Sequence, residues 1–208
     1  MGTEYRKYFA KAIRSHFPDQ TKQVILEIGK RYTEISRDTS FAAKSVNPID
    51  RRLDFMAYFL ALIKTLEQKG CSYDFIKGLC LEIVHDYVGP KNSIQRYLKK
   101  LPPKLIGWWP ARSFLNKLGA KTMILAHPGG FRAKIITDKT LTYGFGYGVD
   151  ILECGICKLF LKHDAAAFAP ILCEVDKVTS SLAGLELIRS GTIANGAEIC
   201  DFRFKKMH

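Results

Sequence analysis

The chain has 208 residues, of which 47% are hydrophobic and 25% are charged, and its formal net charge is +12. This composition is that of a globular protein and excludes a collagen-like or intrinsically disordered chain. The longest apolar run, Phe55–Ile63, is about half as long as the roughly 20 residues that a membrane-spanning helix needs. We therefore expect no membrane span.

The positive charge is concentrated in the N-terminal part of the chain. Residues 1–130 contain 22 Lys and Arg against 11 Asp and Glu, whereas residues 131–208 contain 10 against 9. One interpretation is contact with nucleic acid or an anionic membrane, and the other is a set of solvated helix faces. The basic residues stand singly or in pairs, which favours solvated faces. We expect no nucleic-acid or membrane partner, and we expect the field to attract an anionic small substrate.

Apolar residues that recur every three or four positions predict a helical region over residues 1–125. Asp50 is a candidate cap for a helix that ends near Gln68, and Ser72 is a candidate cap for the helix after it. Glycines that follow both helices supply the stop signals.

Beyond residue 130 the apolar pattern changes to the alternation that is typical of strands. The first two strands are expected over Phe131–Ile136 and Leu141–Cys154. In the second strand aromatic residues alternate with glycines, so that one face would be bare. Helical spacing returns between residues 156 and 181.

An Asn-Gly turn signal at positions 195–196 predicts a hairpin between two short strands, Leu185–Ile188 and Ile199–Phe204. Together the elements predict an α+β fold. A helical N-terminal half would pack on a small, mainly antiparallel C-terminal sheet with one or two helices. We expect a helical region over residues 1–125 and an α+β region over residues 126–208, joined in one compact unit.

Six cysteines occur in the chain, and the N-terminus lacks the pattern of a secretory signal peptide. We therefore expect a cytoplasmic protein with reduced thiols. Cys154 and Cys157 form a Cys-x-x-Cys motif with three interpretations: half of a zinc site completed by Cys173 and Cys200, a redox pair, or one useful thiol beside a packing residue. The third is favoured, because a second Cys-x-x-Cys is missing and Glu153 disfavours a neighbouring thiolate. We expect no metal ligands.

Cys173 and Asp176 stand three residues apart in a predicted helix and therefore share a face. A carboxylate beside a thiol can act as a general base, either for the thiol or for a water molecule. The alternative is a buried thiol beside a solvated or capping acid. His127 and His163 are further candidates for acid–base chemistry.

The closing segment of the chain is a predicted strand in which alternate residues share a face. Cys200 and Phe202 would lie on one face, and Asp201 and Arg203 on the other. Arg203 has the planar guanidinium that suits a substrate carboxylate, although a surface pair between Asp201 and Arg203 is the alternative. Thr192, beside the predicted turn, can donate a hydroxyl hydrogen bond.

These motifs follow one another in a characteristic order over residues 145–204. The order is a strand ending at Cys154, then Cys173-x-x-Asp176, Arg189-x-Gly-Thr192-Ile-x-x-Gly196 and Cys200-Asp201-Phe202-Arg203. This order resembles the L-2-amino-thiazoline-4-carboxylic acid hydrolase family. Gly191 stands where the family pattern has a polar residue, and Glu198-Ile199 replaces a small residue followed by His. These departures bear on the substrate more than on the fold.

The resemblance implies a hydrolase that breaks a C–N bond in a small cyclic amidine, as in the opening of 2-amino-thiazoline-4-carboxylate toward cysteine. It implies Cys173 and Asp176 as the catalytic pair, with Cys200 as the next catalytic candidate. Arg203 would hold the substrate carboxylate and Thr192 would orient the amidine. The implied substrate-binding residues are Arg203, Thr192, Cys154 and Gly196. The expected partner is a small molecule that carries a carboxylate, and no cofactor is expected; a homo-oligomer is left open.

The end of the chain is also similar to 4-vinyl-reductase-type domains, which bind small molecules. This second resemblance implies a non-catalytic module that senses a small molecule or a metal. About one zinc or iron per chain, without hydrolytic activity, would favour the sensor.

Overall fold

The computed structural model describes residues 3–99, 101–106 and 108–207. Within them the chain has the predicted α+β fold, with helices in the N-terminal half and a small sheet in the C-terminal part. The helices are α1 (Arg6–His16), α2 (Thr21–Thr39), α3 (Leu53–Gln68), α4 (Tyr73–Val88), α5 (Ser93–Lys99), α6 (Leu101–Leu105), α7 (Trp109–Thr122), α8 (Gly155–Lys162) and α9 (Ala169–Leu182). The strands are β1 (Arg132–Ile136), β2 (Gly148–Glu153), β3 (Leu185–Ile188) and β4 (Cys200–Lys206).

Helix α3 is the centre of the helical half. Every residue from Phe55 to Ile63 is buried, because α2, α4 and α8 contact α3 and Phe9 of α1 packs on its aromatic rings. The hydroxyl of Ser72 accepts the N–H of Phe75 and caps α4, as the sequence predicts. Gly70 has φ of +76°, a conformation that favours glycine after a helix. Among the described residues, no helix combines the length and the apolar character that crossing a bilayer requires.

The four strands form one antiparallel sheet in the order β1-β2-β4-β3. The predicted hairpin between β3 and β4 is confirmed. Within the connection, a short 3₁₀ turn ends at Gly196, whose φ of +88° only glycine adopts readily. Helix α9 packs on β3, and α7 packs on β1, so a helix contacts each edge strand of the sheet.

The prediction of a strand over Leu141–Cys154 is wrong in its first half. Strand β2 begins only at Gly148, and the residues before it form turns. Gly144 and Gly146 have φ of +80° and +78°, and the hydroxyl of Thr142 accepts the N–H of Gly146 at 2.9 Å. The alternating glycines therefore serve a tight turn with positive φ values rather than one bare face of a strand.

The segment before α3 is fixed to the sheet region by Asn47, which is completely buried. Its side-chain nitrogen donates to the carbonyl oxygens of Phe131 at 2.8 Å, Ile124 at 3.1 Å and Thr122 at 3.2 Å. Its side-chain oxygen accepts the N–H of Ile49 at 3.1 Å. One amide thus satisfies several backbone groups that would otherwise be buried without partners.

Asp50 is the second buried polar residue of this segment, and it does not cap α3. Its Oδ1 atom accepts the N–H of Phe131 at 2.8 Å, and its Oδ2 atom accepts the hydroxyl of Ser45. A Cβ at Gly130 would lie 2.9 Å from Oδ1, so the glycine makes this close approach possible. We call these two residues and their hydrogen bonds the Asn47–Asp50 clamp.

Replacing Asn47 by Ala removes the donor from buried carbonyl groups. We expect Asn47→Ala to lower the free energy of unfolding by about 2–4 kcal/mol. Urea denaturation followed by circular dichroism measures this change. Asn92 also accepts a backbone N–H, that of Gln95, but it is exposed, so Asn92→Ala should cost no more than about 1 kcal/mol. Equal losses in the two variants would contradict the structural role of the clamp.

Candidate functional site

The structure brings the predicted cysteines and Asp176 into one neighbourhood. Cys173 and Asp176 lie one turn apart on α9, Cys200 is the first residue of β4, and Cys154 directly precedes α8. Burial raises the pKa of Cys173 to about 11, and the charges of Asp176, Cys154 and Cys200 add to that rise. These groups are therefore close enough to influence one another. Together with Thr192 they form what we call the thiol–carboxyl cluster.

The surroundings of the thiols in the cluster favour their neutral form. Burial raises the pKa of Cys200 to about 11, although the N–H of Ile193, which donates to its sulfur at 3.2 Å, partly offsets the rise. A hydrogen bond with Cys157, followed by burial, raises the pKa of Cys154 well above its usual range. A nucleophile drawn from these thiols would therefore need a base to remove its proton.

Thr192 brings an unused hydrogen-bonding group to the cluster. Its side chain is 2% exposed, and within the described residues its hydroxyl has no hydrogen-bond partner of normal geometry. The hydroxyl favours the thiolate of Cys173 and partly offsets the rise in pKa that burial causes. The loop before Thr192 is held by Asp201, which accepts the N–H groups of Ser190 at 2.9 Å and Gly191 at 3.1 Å. Asp201 thus holds the backbone that leads into Thr192.

Asp176 supplies the carboxyl group of the cluster, and the pKa of this group is shifted. Burial raises its pKa from 3.8 to about 6, against the opposing effect of the positive charges of Arg52 and Arg189. Within the described part of the chain its carboxyl oxygens accept no hydrogen bond, and the residue keeps some accessible surface. A carboxyl group with a pKa near 6 and free acceptor positions suits a general base or a site for a cationic ligand.

The two arginines beside Asp176 have different surroundings. Arg189 is 9% exposed, donates to the carbonyl of Cys173 at 3.0 Å and lies over the ring of Phe202. Arg52, at the start of α3, is exposed, and its side chain forms no hydrogen bond or ion pair within the described residues. Arg189 is therefore held in the fold, whereas Arg52 has a free guanidinium for an anion.

Sequence reasoning gave neither arginine a role. Arg189 contributes to the motif that resembles the family, but the sequence predicts no function for its side chain. Arg52 follows Asp50 in a helical pattern, and no local signal links it to the C-terminal region. Tyr147 is a third neighbour, because the charge of Arg52 partly offsets the rise in pKa that burial gives this tyrosine. Its ring stacks on Phe204, with centroids 5.6 Å apart.

Arg203 and Gly196, two of the predicted binding residues, lie apart from the thiols. Arg203 and Cys200 lie on opposite faces of β4. The guanidinium of Arg203 donates to Asp150 at 2.7 Å and to the carbonyl of Leu141 at 3.0 Å. Gly196 is exposed and shapes the loop that follows Thr192. The predicted role of Arg203 at a substrate carboxylate therefore lacks support from its surroundings and stays a prediction.

The other sequence candidates are engaged elsewhere. His127 stacks on Phe41 at 3.8 Å and accepts the N–H of Gly129, and His163 contacts Asp38 at 2.9 Å. All six cysteines are free thiols. In the ranges that the structure describes, no group of three or more His, Cys, Asp or Glu residues is arranged to hold a metal ion.

A family model for L-2-amino-thiazoline-4-carboxylic acid hydrolase matches residues 51–204, about three quarters of the chain. The chain belongs to this family. The match includes every member of the thiol–carboxyl cluster and begins just before Arg52, whereas α1 and α2 lie outside it. The match therefore covers the helices from α3 onward as well as the C-terminal motifs. No curated protein and no solved structure matches the chain.

The raised pKa of Asp176 predicts a characteristic dependence of stability on pH. An acid whose pKa is higher in the folded state binds its proton more tightly there, so its unfavourable contribution grows as pH rises from about 4 to above 6. The shift corresponds to about 3 kcal/mol, and partial solvent access reduces our expectation to about 1–2 kcal/mol. We therefore expect Asp176→Asn to be more stable than the parent protein by that amount above pH 7, as measured by urea denaturation.

The control for this prediction is Glu174→Gln on the same helix. Glu174 is paired with Lys177 at 2.9 Å, so its replacement should bring no gain in stability. An Asp176→Asn protein whose stability follows that of the parent at every pH would show that the Asp176 carboxyl is not perturbed.

Proposed function

We propose that this protein is a hydrolase that opens a C–N bond in a small cyclic amidine bearing a carboxylate, of the type of 2-amino-thiazoline-4-carboxylate. The observation that carries the proposal is Asp176, a carboxyl with a pKa of about 6 beside three neutral thiols, an unpartnered hydroxyl and two arginines. Membership of a family named for such a hydrolase supports the same reaction class.

The charges of the site match the two ends of such a substrate. An amidinium offers two parallel N–H donors, and the free oxygens of Asp176 are suitable acceptors for both. The carboxylate at the other end would bind the unpaired guanidinium of Arg52. We assign this role to Arg52 rather than Arg203, because Arg203 already holds Asp150 and a carbonyl group. The hydroxyl of Thr192 is free to bind the developing charge near the reacting carbon.

Cys173 is the nucleophile that we favour. It is partly accessible and lies beside the Thr192 hydroxyl, whereas Cys200 is 4% exposed and its sulfur already accepts a backbone N–H. Asp176 would take the thiol proton as the sulfur bonds to the amidine carbon. A bound amidinium would itself lower the pKa of Cys173 from its value of about 11 in the free protein.

The proposed reaction conserves atoms and protons in two steps. In the first, the S–C bond forms, the ring C–N bond breaks, and Asp176 returns the proton to the departing nitrogen. In the second, water attacks the same carbon with Asp176 as base, the S–C bond breaks, and Cys173 regains its proton. The net change is the addition of one water and the cleavage of one C–N bond, with no oxidation or reduction.

Steady-state kinetics with 2-amino-thiazoline-4-carboxylate test the proposal. We expect Cys173→Ser and Asp176→Asn to lower kcat by roughly 10²–10⁴-fold, because each removes a group that acts on the reacting atoms. Cys200→Ser should retain substantial activity, and Cys71→Ser, in the loop between α3 and α4, should resemble the parent protein. Activity of the parent should fall as pH drops below about 6.

Full turnover in Cys173→Ser would exclude the thiol nucleophile and favour activation of water by Asp176. Full turnover in Asp176→Asn would overturn the proposal as a whole. Tight binding of the thiazoline without any turnover would support a sensing module instead of an enzyme.

A further inference from the structure

A long stretch of the chain is free of acidic residues. Between Asp86 and Asp138 the sequence contains no Asp or Glu. It does contain ten basic residues: Lys91, Arg96, Lys99, Lys100, Lys104, Arg112, Lys117, Lys121, Arg132 and Lys134. The net charge of residues 1–130 is therefore unevenly placed, because 8 of its 11 positive charges in excess lie between Asp86 and residue 130.

The same stretch exposes large apolar side chains. Trp109 is 76% exposed, Ile94 is 71% exposed and Phe114 is 63% exposed. Further side chains that are at least half exposed are Leu98, Leu105 and Trp108. Single exposed apolar residues are ordinary, but this many within three consecutive helices mark an interaction surface.

Helix α7 shows how these side chains are presented. Its buried residues, Leu115 and Thr122, face β1, and the Thr122 hydroxyl donates to the carbonyl of Ala133 at 2.9 Å. Trp109, Phe114 and Lys117 lie on the remaining, solvent-facing side of the helix. The fold thus holds α7 by one side and leaves aromatic and basic side chains together on the other.

We propose that the described residues among 91–99, 101–106 and 108–121 form a basic–aromatic surface that docks the protein on an anionic lipid bilayer. Interfacial helices combine Lys and Arg with Trp, Phe and Leu, and clustered basic residues bind acidic headgroups. Tryptophan is the side chain that settles at the boundary between headgroups and acyl chains. The protein would lie on the membrane and not cross it. The sequence pattern alone favoured no membrane partner, because the exposure of these apolar side chains is visible only in the structure.

Charge and chemistry favour a lipid surface over other occupants. A second copy of this surface would face the same positive charge and be repelled. Single-stranded nucleic acid would use the aromatic and basic groups, but Ile94, Leu98 and Leu105 would then stay exposed to water. Acyl chains cover aliphatic side chains, and acidic headgroups neutralise the basic ones.

Intrinsic fluorescence tests the proposal directly, because both tryptophans of the chain, Trp108 and Trp109, lie in this surface. The full-length protein is mixed with vesicles of phosphatidylcholine alone or of phosphatidylcholine with phosphatidylglycerol. We expect a blue shift of emission and co-sedimentation only with vesicles that contain phosphatidylglycerol, and both effects should weaken as salt is added.

Matched variants separate the two contributions to binding. The double variant Lys117→Glu with Lys121→Glu should weaken vesicle binding by at least about tenfold, whereas Lys22→Glu with Lys30→Glu on α2 should bind like the parent. Likewise, Phe114→Ser should weaken binding and Leu26→Ser, which replaces a 60% exposed residue on α2, should not. Far-UV circular dichroism confirms that each variant is folded.

Three results would overturn the proposal. The first is equal binding to neutral and anionic vesicles, or to neither. The second is a dimer that forms without lipid and shields the tryptophans from acrylamide, which would assign the surface to a second copy. The third is tighter binding to a single-stranded oligonucleotide than to anionic vesicles.

Discussion

The Asn47–Asp50 clamp is the interaction on which the candidate site depends. The N-terminal helices and the sheet are far apart in sequence, and the clamp ties them together through backbone groups of Phe131, Thr122 and Ile124. Arg52 follows the clamp by two residues, so the clamp helps to fix the backbone from which the charge of Arg52 acts on Asp176. The clamp also lies beside the small core of Ala42, Leu53 and Phe131, against which Cys154 packs.

The second constraint is electrostatic. Burial keeps the thiols protonated, and the same burial raises the pKa of Asp176 to about 6 in spite of two nearby arginines. The pKa values of the acid and of the thiols are both shifted, and the groups lie in one partly accessible place. Such an arrangement is typical of sites that carry out acid–base chemistry. If the proposed function is correct, the expected loss of stability at neutral pH is the usual relation between an active site and its scaffold.

Much of the fold could be predicted from the sequence because its signals are local. The apolar run of α3, the cap at Ser72 and the Asn-Gly turn between β3 and β4 each depend on neighbouring residues. The strand predicted over residues 141–147 failed for the opposite reason. A sequence in which aromatic residues alternate with glycines is compatible with a strand and with a tight turn. The hydrogen bonds of Thr142 stabilise the turn.

The site was predictable only where its residues share one motif. Cys173 and Asp176 share a helix face, and their proximity follows from the helix repeat. Arg52 reaches Asp176 through tertiary packing, so no pattern in the sequence could reveal it. Arg203 was placed on the right face of its strand relative to Cys200, but its partner Asp150 comes from a neighbouring strand whose register the sequence does not specify.

In the proposed mechanism, the Asn47–Asp50 clamp places Arg52 to bind the carboxylate of the substrate. Steady-state kinetics of Arg52→Ala and Arg51→Ala test it most directly, because the two arginines are adjacent and both exposed. We expect Arg52→Ala to raise KM for 2-amino-thiazoline-4-carboxylate by about 10–100-fold, because a hydrogen-bonded charge pair contributes a binding free energy of that size. It should leave turnover of 2-amino-thiazoline, which lacks the carboxylate, unchanged, and Arg51→Ala should affect neither substrate. An unchanged KM for the carboxylate substrate in Arg52→Ala would contradict the account.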